Sequence, residues 1–217
     1  MDMATGTAAV IGLGYVGLPL AMHMVEKGIP VMGFDRDERK VRKLANGRSY
    51  IPDVSDHEVK AAVDSGMFRP QLPSEKLADA DWIAVCVPTP LGANGKPDLS
   101  AMKGAASFVA KHLRRGQTVV FESSTFPGTL EEVILPILKE SGLAAGTDYY
   151  LGYSPERIDP GNELYPVEKI PKVVSGLTEA CLAKVNDWYG RLFEKTVPVS
   201  APKVAEACKL IENIQRL

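Results

Sequence analysis

The sequence predicts an α/β fold, a doubly wound parallel sheet that runs into a C-terminal helix. Three observations predict it. Short apolar runs of strand length alternate with helical patterns along most of the 217 residues. The connections between them are short, the arrangement expected when helices cross between parallel strands and cover both faces of a sheet. A glycine-rich turn, "GLGYVG" at 12–17, joins the first apolar run to the first helical stretch.

Taken in order, "TAAVIG" (7–12) reads as a buried strand and 16–27 as the helix that follows it. "IPVMGFD" (29–35) is a second strand, followed by a charged helix around 36–46. The segment 52–75 is less regular and reads as a polar helix near 55–65 and a proline-containing connection. "DWIAVCV" (81–87), "QTVVFES" (117–123) and "DYYLGYS" (148–154) are further buried strands, separated by helical patterns near 99–113 and 129–141. Continuous apolar runs of this length suit strands buried on both faces. After 154 the pattern weakens into the Pro- and Gly-rich "PERIDPGNELYPVEKIP". A short strand, "KVVSG", a helix near 178–192 and a final helical stretch, "APKVAEACKLIENIQRL", complete the reading, so the expected division is a domain over 1–199 and a linking helix over 200–217. That last stretch carries no helix stop signal.

Composition narrows the function. The formal net charge is −2 and no Lys/Arg block stands out, so no nucleic-acid partner is expected. No apolar run has the length of a membrane span, and no secretory signal precedes Val10, so a cytoplasmic protein is expected. Cys86, Cys181 and Cys208 lack metal-ligand spacing and suit reduced thiols; His23, His57 and His112 have no partner at ligand spacing, so no metal is expected.

In a strand–turn–helix setting each glycine has a mechanical task. Gly12 allows the tight turn, Gly14 lets backbone approach a pyrophosphate, and Gly17 lets the helix pack close to the strand. Tyr15 and Val16 line the same turn through their backbone, and the helix start supplies N–H groups and partial positive charge for phosphates. Asp35 ends the second strand 18 residues beyond Gly17, where a carboxylate accepts from the ribose hydroxyls of an adenosine. The sequence is therefore Rossmann-like, and the cofactor expected is NAD, because a carboxylate at Asp35 repels a 2′-phosphate. Arg36 complicates that choice, since an arginine accepts such a phosphate. Lys40, one turn into the next helix, reaches the ribose or adenine edge or is simply a solvated helix lysine. An unrelated structural turn with a surface aspartate is the bland alternative.

Five stretches then occur in one order: "GLGYVGLPLA" (12–21), "VCVPTP" (85–90), "ESSTFPGT" (122–129), "YSPERIDPGN" (153–162) and "EACKLIEN" (206–213). Together they resemble the UDP-glucose/GDP-mannose dehydrogenase family, over essentially the whole chain but only the first half of a full-length member. The resemblance implies oxidation of a sugar C6 alcohol to a carboxylate with two NAD, by way of a thioester on a cysteine. It also implies a UDP-sugar substrate and a homodimer formed through the helix beginning near 201. That route needs a base, an oxyanion stabiliser, a thiol and an oriented water.

On the matching positions, the resemblance assigns acid/base and hydrolysis work to Glu156, and stabilisation of developing negative charge to Lys209. Asn213, four residues on, shares its helical face. Thr125 matches a threonine that orients water, with a helix N-cap as its alternative. Pro88 and Thr89 in "VPTP" belong to a loop against the cofactor, and Ser123 and Ser124 are lesser candidates for its nicotinamide side. The bland readings are a loop carboxylate for Glu156 and a solvated polar face for Lys209 and Asn213. The family's nucleophile lies in a "GGxC" segment that this chain does not contain; Cys86 reads as a buried inert thiol. The nucleophile and the UDP-binding domain are therefore expected beyond Leu217.

Within "SPERIDPGN" the glucose-specific pattern "PEFLxEG" is not met. Pro160 stands where that pattern has its second glutamate, and Arg157 follows Glu156. Arg157 offers a planar donor array for a pyrophosphate, a sugar hydroxyl or an acetamido oxygen, or else a salt bridge to Asp159 or Glu163. The expected substrate is a UDP-N-acetylhexosamine, the gluco epimer before the manno epimer and UDP-glucose third. Another dehydrogenase of the β-hydroxyacid type, or an NAD-sensing regulatory domain, are the competing classes.

Overall fold

The computed structural model describes residues 6–92, 95–156 and 170–215. Among them β1 (Ala8–Ile11), β2 (Val31–Phe34), β3 (Phe68–Gln71), β4 (Trp82–Val85), β5 (Thr118–Phe121), β6 (Tyr150–Tyr153), β7 (Lys172–Gly176) and β8 (Thr196–Pro198) lie side by side. Their order is β3-β2-β1-β4-β5-β6-β7-β8. The first six pair in parallel, β7 runs antiparallel to β6, and β8 is parallel to β7. The sheet is thus mostly parallel, as the sequence predicts, with one antiparallel pair, β6–β7, towards that edge. Antiparallel neighbours need no crossover helix, and the Pro- and Gly-rich sequence after β6 carries no helical pattern.

Two strands escape the sequence reading for physical reasons. β3 is "FRPQ", in which only Phe68 is buried, and Pro70 is tolerated because the strand lies at the sheet's edge. β8 is the three-residue "TVP" at the opposite edge, ending on Pro198.

The helices are α1 (Gly17–Glu26), α2 (Glu38–Ala45), α3 (Asp56–Asp64), α4 (Ser100–His112), α5 (Leu135–Leu138), α6 (Glu179–Leu192) and α7 (Pro202–Gln215). α3 starts at a capping box: Ser55 accepts the Glu58 N–H, and the Glu58 carboxylate accepts the Ser55 N–H. The single helix expected over 129–141 is three pieces, a widened turn at Leu130–Ile134, α5, and a tight turn at Lys139–Ser141. Pro136 has no N–H to give to an i−4 carbonyl, so a continuous α-helical ladder is not available there.

Strand residues alternate between two cores, as a period of two requires. Ala8, Val10, Trp82 and Ala84 face Leu18, Met24, Val59 and Tyr189 on one side. Ala9, Ile11, Ile83 and Val85 face Met102, Val109, Ile134 and Ala205 on the other. Trp82 meets Trp188 and Tyr189 edge-on, each with ring centroids 4.7 Å apart, which fixes α6 against the sheet centre. The beginning of α7 belongs to the second core through Ala205. Among the described residues no helix is long and apolar enough to cross a membrane.

The chain starts in the middle of the sheet: β1 has β2 on one side and β4 on the other. Successive connections leave β1 and β4 in opposite directions, so a crevice opens beyond their carboxyl ends.

Candidate functional site

β1 hands over to the glycine turn at Ile11. Gly12 has φ +90°, and a Cβ there would lie 2.6 Å from the carbonyl oxygen of Cys86. A Cβ on Gly17 would lie 1.9 Å from the Gly12 carbonyl oxygen, so α1 can begin this close to β1 only with a bare Cα. Gly14 is different: nothing lies within 4 Å of the place its Cβ would take. Two glycines therefore serve packing and one keeps a surface open, the division a pyrophosphate-binding turn needs. No side chain caps the start of α1, which leaves that end of the helix to a ligand's negative charge.

Asp35, one residue past β2, is buried and ties the turn to the second strand. Its Oδ2 accepts the Leu13 N–H at 3.0 Å and its Oδ1 accepts the Asp37 N–H at 2.9 Å. The Lys40 ammonium stands 3.7 Å from Oδ2. An ionised carboxylate has about four acceptor positions, so lone pairs remain for ribose hydroxyls. Tyr50 closes the back of the turn by donating to the Leu13 carbonyl oxygen at 2.6 Å. Burial, and then the charges of Asp35 and Asp37, push the Tyr50 phenol up, so it stays a donor.

These groups border a cavity of about 850 Å³ over the ends of β1 and β4. Gly12, Gly14, Tyr15 and Val16 line it from the turn; Asp35, Arg36 and Lys40 line it from the end of β2. Pro88, Thr89 and Ser124 form the facing wall, where Thr89 Oγ1 donates to the Ser124 carbonyl oxygen at 2.5 Å. Gly17 packs against Gly12 and Val10, in keeping with its packing task. The cavity, the open Gly14 and the carboxylate at Asp35 fit a dinucleotide, and these residues would hold its pyrophosphate and adenosine ribose.

The same cavity reaches Glu156 and Lys209, so the carboxylate and ammonium expected to do the chemistry meet the glycine turn in one space. Lys209 Nζ donates to the Glu156 main-chain carbonyl oxygen at 2.5 Å. Glu156 Oε2 accepts from Lys172 Nζ at 3.1 Å, and Lys172 also donates to Glu122 Oε2 at 2.7 Å. Tyr189 OH donates to the other oxygen of Glu122 at 2.5 Å. Burial works against the Lys172 ammonium, but Glu122 and Glu156 outweigh it and its pKa is raised. Burial pushes the Glu122 carboxyl up, and Lys172 pulls it back.

Thr125 follows Ser124 of that wall and is buried, with its hydroxyl donating to Thr129 Oγ1 at 2.7 Å. Thr129 passes the bond on to the Phe126 carbonyl oxygen at 2.7 Å. Arg157 and the side chain of Asn213 lie outside the described residues. Cys86 is the inert thiol expected: burial first, then Glu122, pushes it well above the ordinary range.

Four polar residues were missed by the sequence reading: Glu122, Lys172, Tyr189 and Glu206. Glu206 in α7 accepts the Gly128 N–H at 2.6 Å and the Leu130 N–H at 2.9 Å, while Lys209 one turn later holds Glu156. One helix thus anchors both loops beside the cavity. The available signal was a charged residue inside an apolar strand, in "VVFES" and in "KVVSG", since an ion at such a position needs a partner.

Comparison with known proteins decides the family. The NAD binding domain of the UDP-glucose/GDP-mannose dehydrogenase family matches residues 7–193. The chain belongs to this family. Protein CapL of Staphylococcus aureus is 41% identical to it over 210 residues, covering 96% of this chain and 48% of that protein. A UDP-N-acetyl-D-glucosamine 6-dehydrogenase of Pseudomonas aeruginosa is 39% identical over 211 residues, covering 96% and 49%. The solved UDP-D-ManNAc dehydrogenase of Pyrococcus horikoshii superposes with a TM-score of 0.90 at 30% identity, over 97% of this chain and 50% of that one. The chain therefore spans about half the length of the relatives it matches. The crevice residues from Gly12 to Ser124 belong to the family's NAD-binding domain, and NAD is its cofactor.

Proposed function

We propose that the full-length protein carrying this chain is an NAD-dependent UDP-N-acetylhexosamine 6-dehydrogenase that oxidises the sugar C6 alcohol to the carboxylate. The observation that carries this reading is the convergence of Glu156 and Lys209 on the cavity that holds the glycine turn. Glu156 acts as the base for the alcohol, and Lys209 places positive charge where the oxygen becomes negative. Asn213 follows on the same helix, and Arg157 next to Glu156 contacts the sugar or its pyrophosphate. Thr125 orients a water near the reacting carbon: its hydroxyl donates to Thr129 and keeps lone pairs to accept from that water. NAD is preferred over NADP because the Asp35 carboxylate occupies the ribose end of the cavity. UDP-N-acetylglucosamine ranks ahead of UDP-N-acetylmannosamine, in line with 39% identity to a glucosamine enzyme against 30% to a mannosamine one. α7 exposes Leu210, Ile211 and Ile214, an apolar row suited to pairing with a second subunit.

The test is full-length protein with NAD and each of UDP-N-acetylglucosamine, UDP-N-acetylmannosamine and UDP-glucose at matched concentration, reading NADH. A preference for UDP-glucose overturns the acetamido assignment. A preference for the manno epimer reverses the C2 ranking and leaves the reaction class in place.

A further inference from the structure

Glu122, Lys172 and Tyr189 have no part in the oxidation as set out above, yet all three are buried and their chain of contacts ends on Glu156. Lys172 Nζ bridges Glu122 Oε2 at 2.7 Å and Glu156 Oε2 at 3.1 Å, and its relative exposure is 2%. The rings of Tyr189 and Phe193 lie with centroids 5.3 Å and 5.4 Å from the same nitrogen. Burying three ions is a poor way to gain stability, because apolar residues of similar volume do as well or better. Glu156 is the member of the cluster that can meet a substrate, since it lines the cavity and is held by Lys209 from a separate helix.

We propose that Lys172, braced by Glu122 and Tyr189, is a positioning residue that aims the Glu156 carboxylate into the cavity and balances its charge, so that Glu156 takes up and returns one proton in place. This rests on the reading of Glu156 as the base for the sugar alcohol. When Glu156 gains the proton, Lys172 stays paired with Glu122 at 2.7 Å. The two neighbours act on Glu156 in opposite senses: the ammonium lowers its proton affinity and the second carboxylate raises it. Among the described residues, the other titratable or charged groups around the cluster include Cys86 after β4, Tyr153 in β6, Tyr189 in α6 and Lys209 in α7. Burial keeps the first three protonated through the neutral range, and Lys209 adds positive charge at the Glu156 main chain.

The experiment compares full-length wild-type protein with Glu122→Gln, Lys172→Gln and Lys172→Arg, measuring kcat and KM against pH with NAD and UDP-N-acetylglucosamine. Glu122→Gln keeps an acceptor for Lys172 and removes a negative charge, so the acidic limb of kcat moves down by about one pH unit. Lys172→Gln removes the positive charge, so the limb moves up by about one unit and kcat falls roughly tenfold or more with KM within about threefold. Lys172→Arg returns the limb toward wild type. Opposed shifts are what a merely structural role does not produce; limbs that coincide, or that move the same way in both variants, overturn the proposal. If Lys172→Gln does not fold, Lys172→Met combined with Glu122→Leu takes its place, and a limb that stays at the wild-type pH in Glu122→Gln alone overturns the proposal. Infrared titration of the carboxyl band, assigned with Glu156→Gln, reads the opposed shifts without turnover. It therefore decides the proposal even where the wild type oxidises none of the three sugar nucleotides, a result that would overturn the functional reading alone.

Discussion

At the glycine-turn end of the cavity the structure is made by backbone, whereas at the Glu156 end it is made by side chains from five separate elements. The turn relies on bare Cα atoms at Gly12 and Gly17, on open space at Gly14, and on a carboxylate at Asp35 bonded to two main-chain N–H groups. The other end gathers Glu122 after β5, Glu156 after β6, Lys172 in β7, Tyr189 in α6 and Lys209 in α7. A site built on backbone tolerates no added carbon atom where packing is closed. A side-chain site tolerates changes of shape better than the loss of one ion from a balanced group. Each end is therefore sensitive to its own kind of substitution.

The largest effect expected is at the ionic end. Lys172→Met leaves Glu122 and Glu156 buried with no cation between them, and unfolding in denaturant should show a loss of about 3–5 kcal/mol. Replacing Glu122 by Leu in the same molecule should recover part of that loss, because the couplings within one ionic network are not additive. A loss below about 1 kcal/mol for the single variant would mean that this end is no more sensitive to charge than the turn.

Next comes the packing of the turn. Gly17→Ala drives a methyl group into the Gly12 carbonyl oxygen, 1.9 Å from the ideal Cβ position, and should cost about 2–3 kcal/mol by the same measurement. Gly14→Ala meets nothing within 4 Å, so stability should stay within about 0.5 kcal/mol while NAD affinity, read by calorimetry, falls. Equal damage to stability from both substitutions would show that the glycines share one task.

Asp35→Ala comes third. It leaves the Leu13 and Asp37 N–H groups without their acceptor, so about 1–3 kcal/mol of stability should go, and NAD binding should weaken along with it. Asp35→Asn keeps one acceptor and removes the charge. It should narrow the gap between NAD and NADP affinities while disturbing the fold less. A gap that stays as wide as in wild type would mean that Asp35 shapes the turn but does not choose the cofactor.

The smallest effect is acid sensitivity at the surface. Arg39 holds Asp37, Arg48 holds Asp56 and the Ser100 N–H holds Asp98 below the ordinary value of 3.8. A folded-state pKa below the unfolded one means that each contribution is complete above the unfolded value and is lost as pH falls through the folded value. Asp56 and Asp98 are exposed and Asp37 is half-buried at the surface, so melting temperature should drop only slightly on acidification from about pH 5 to about pH 3 on their account. A steep fall in that window would mean that these surface pairs contribute more than exposed ion pairs usually do.

How much was legible follows the same division. The turn could be read because its requirements are local: three glycines within six residues, and an aspartate at the end of the next strand. β3 could not, because "FRPQ" buries only Phe68, and β8 is too short to carry a pattern. Glu156 and Lys209 were legible through likeness to other sequences rather than through any physical signal of their own. Glu122 and Lys172 were passed over as ends of apolar strands, and their pairing spans 50 residues of chain. Thr125 was placed in the right loop, but the direction of its hydroxyl depended on Thr129 and on the turn that follows.

Local sequence was enough for the alternation of strands and helices, the phosphate turn and the acid that answers it. Each of these rests on steric and hydrogen-bonding demands that a few consecutive residues meet alone. Only packing in three dimensions made β7 turn antiparallel, let α7 hold two loops at once, and gave Glu156 a lysine in common with Glu122. The ionic part of that outcome depends on what burial does to charge. An ion removed from water must find its partner wherever the fold supplies one, and no local pattern says which distant residue that will be.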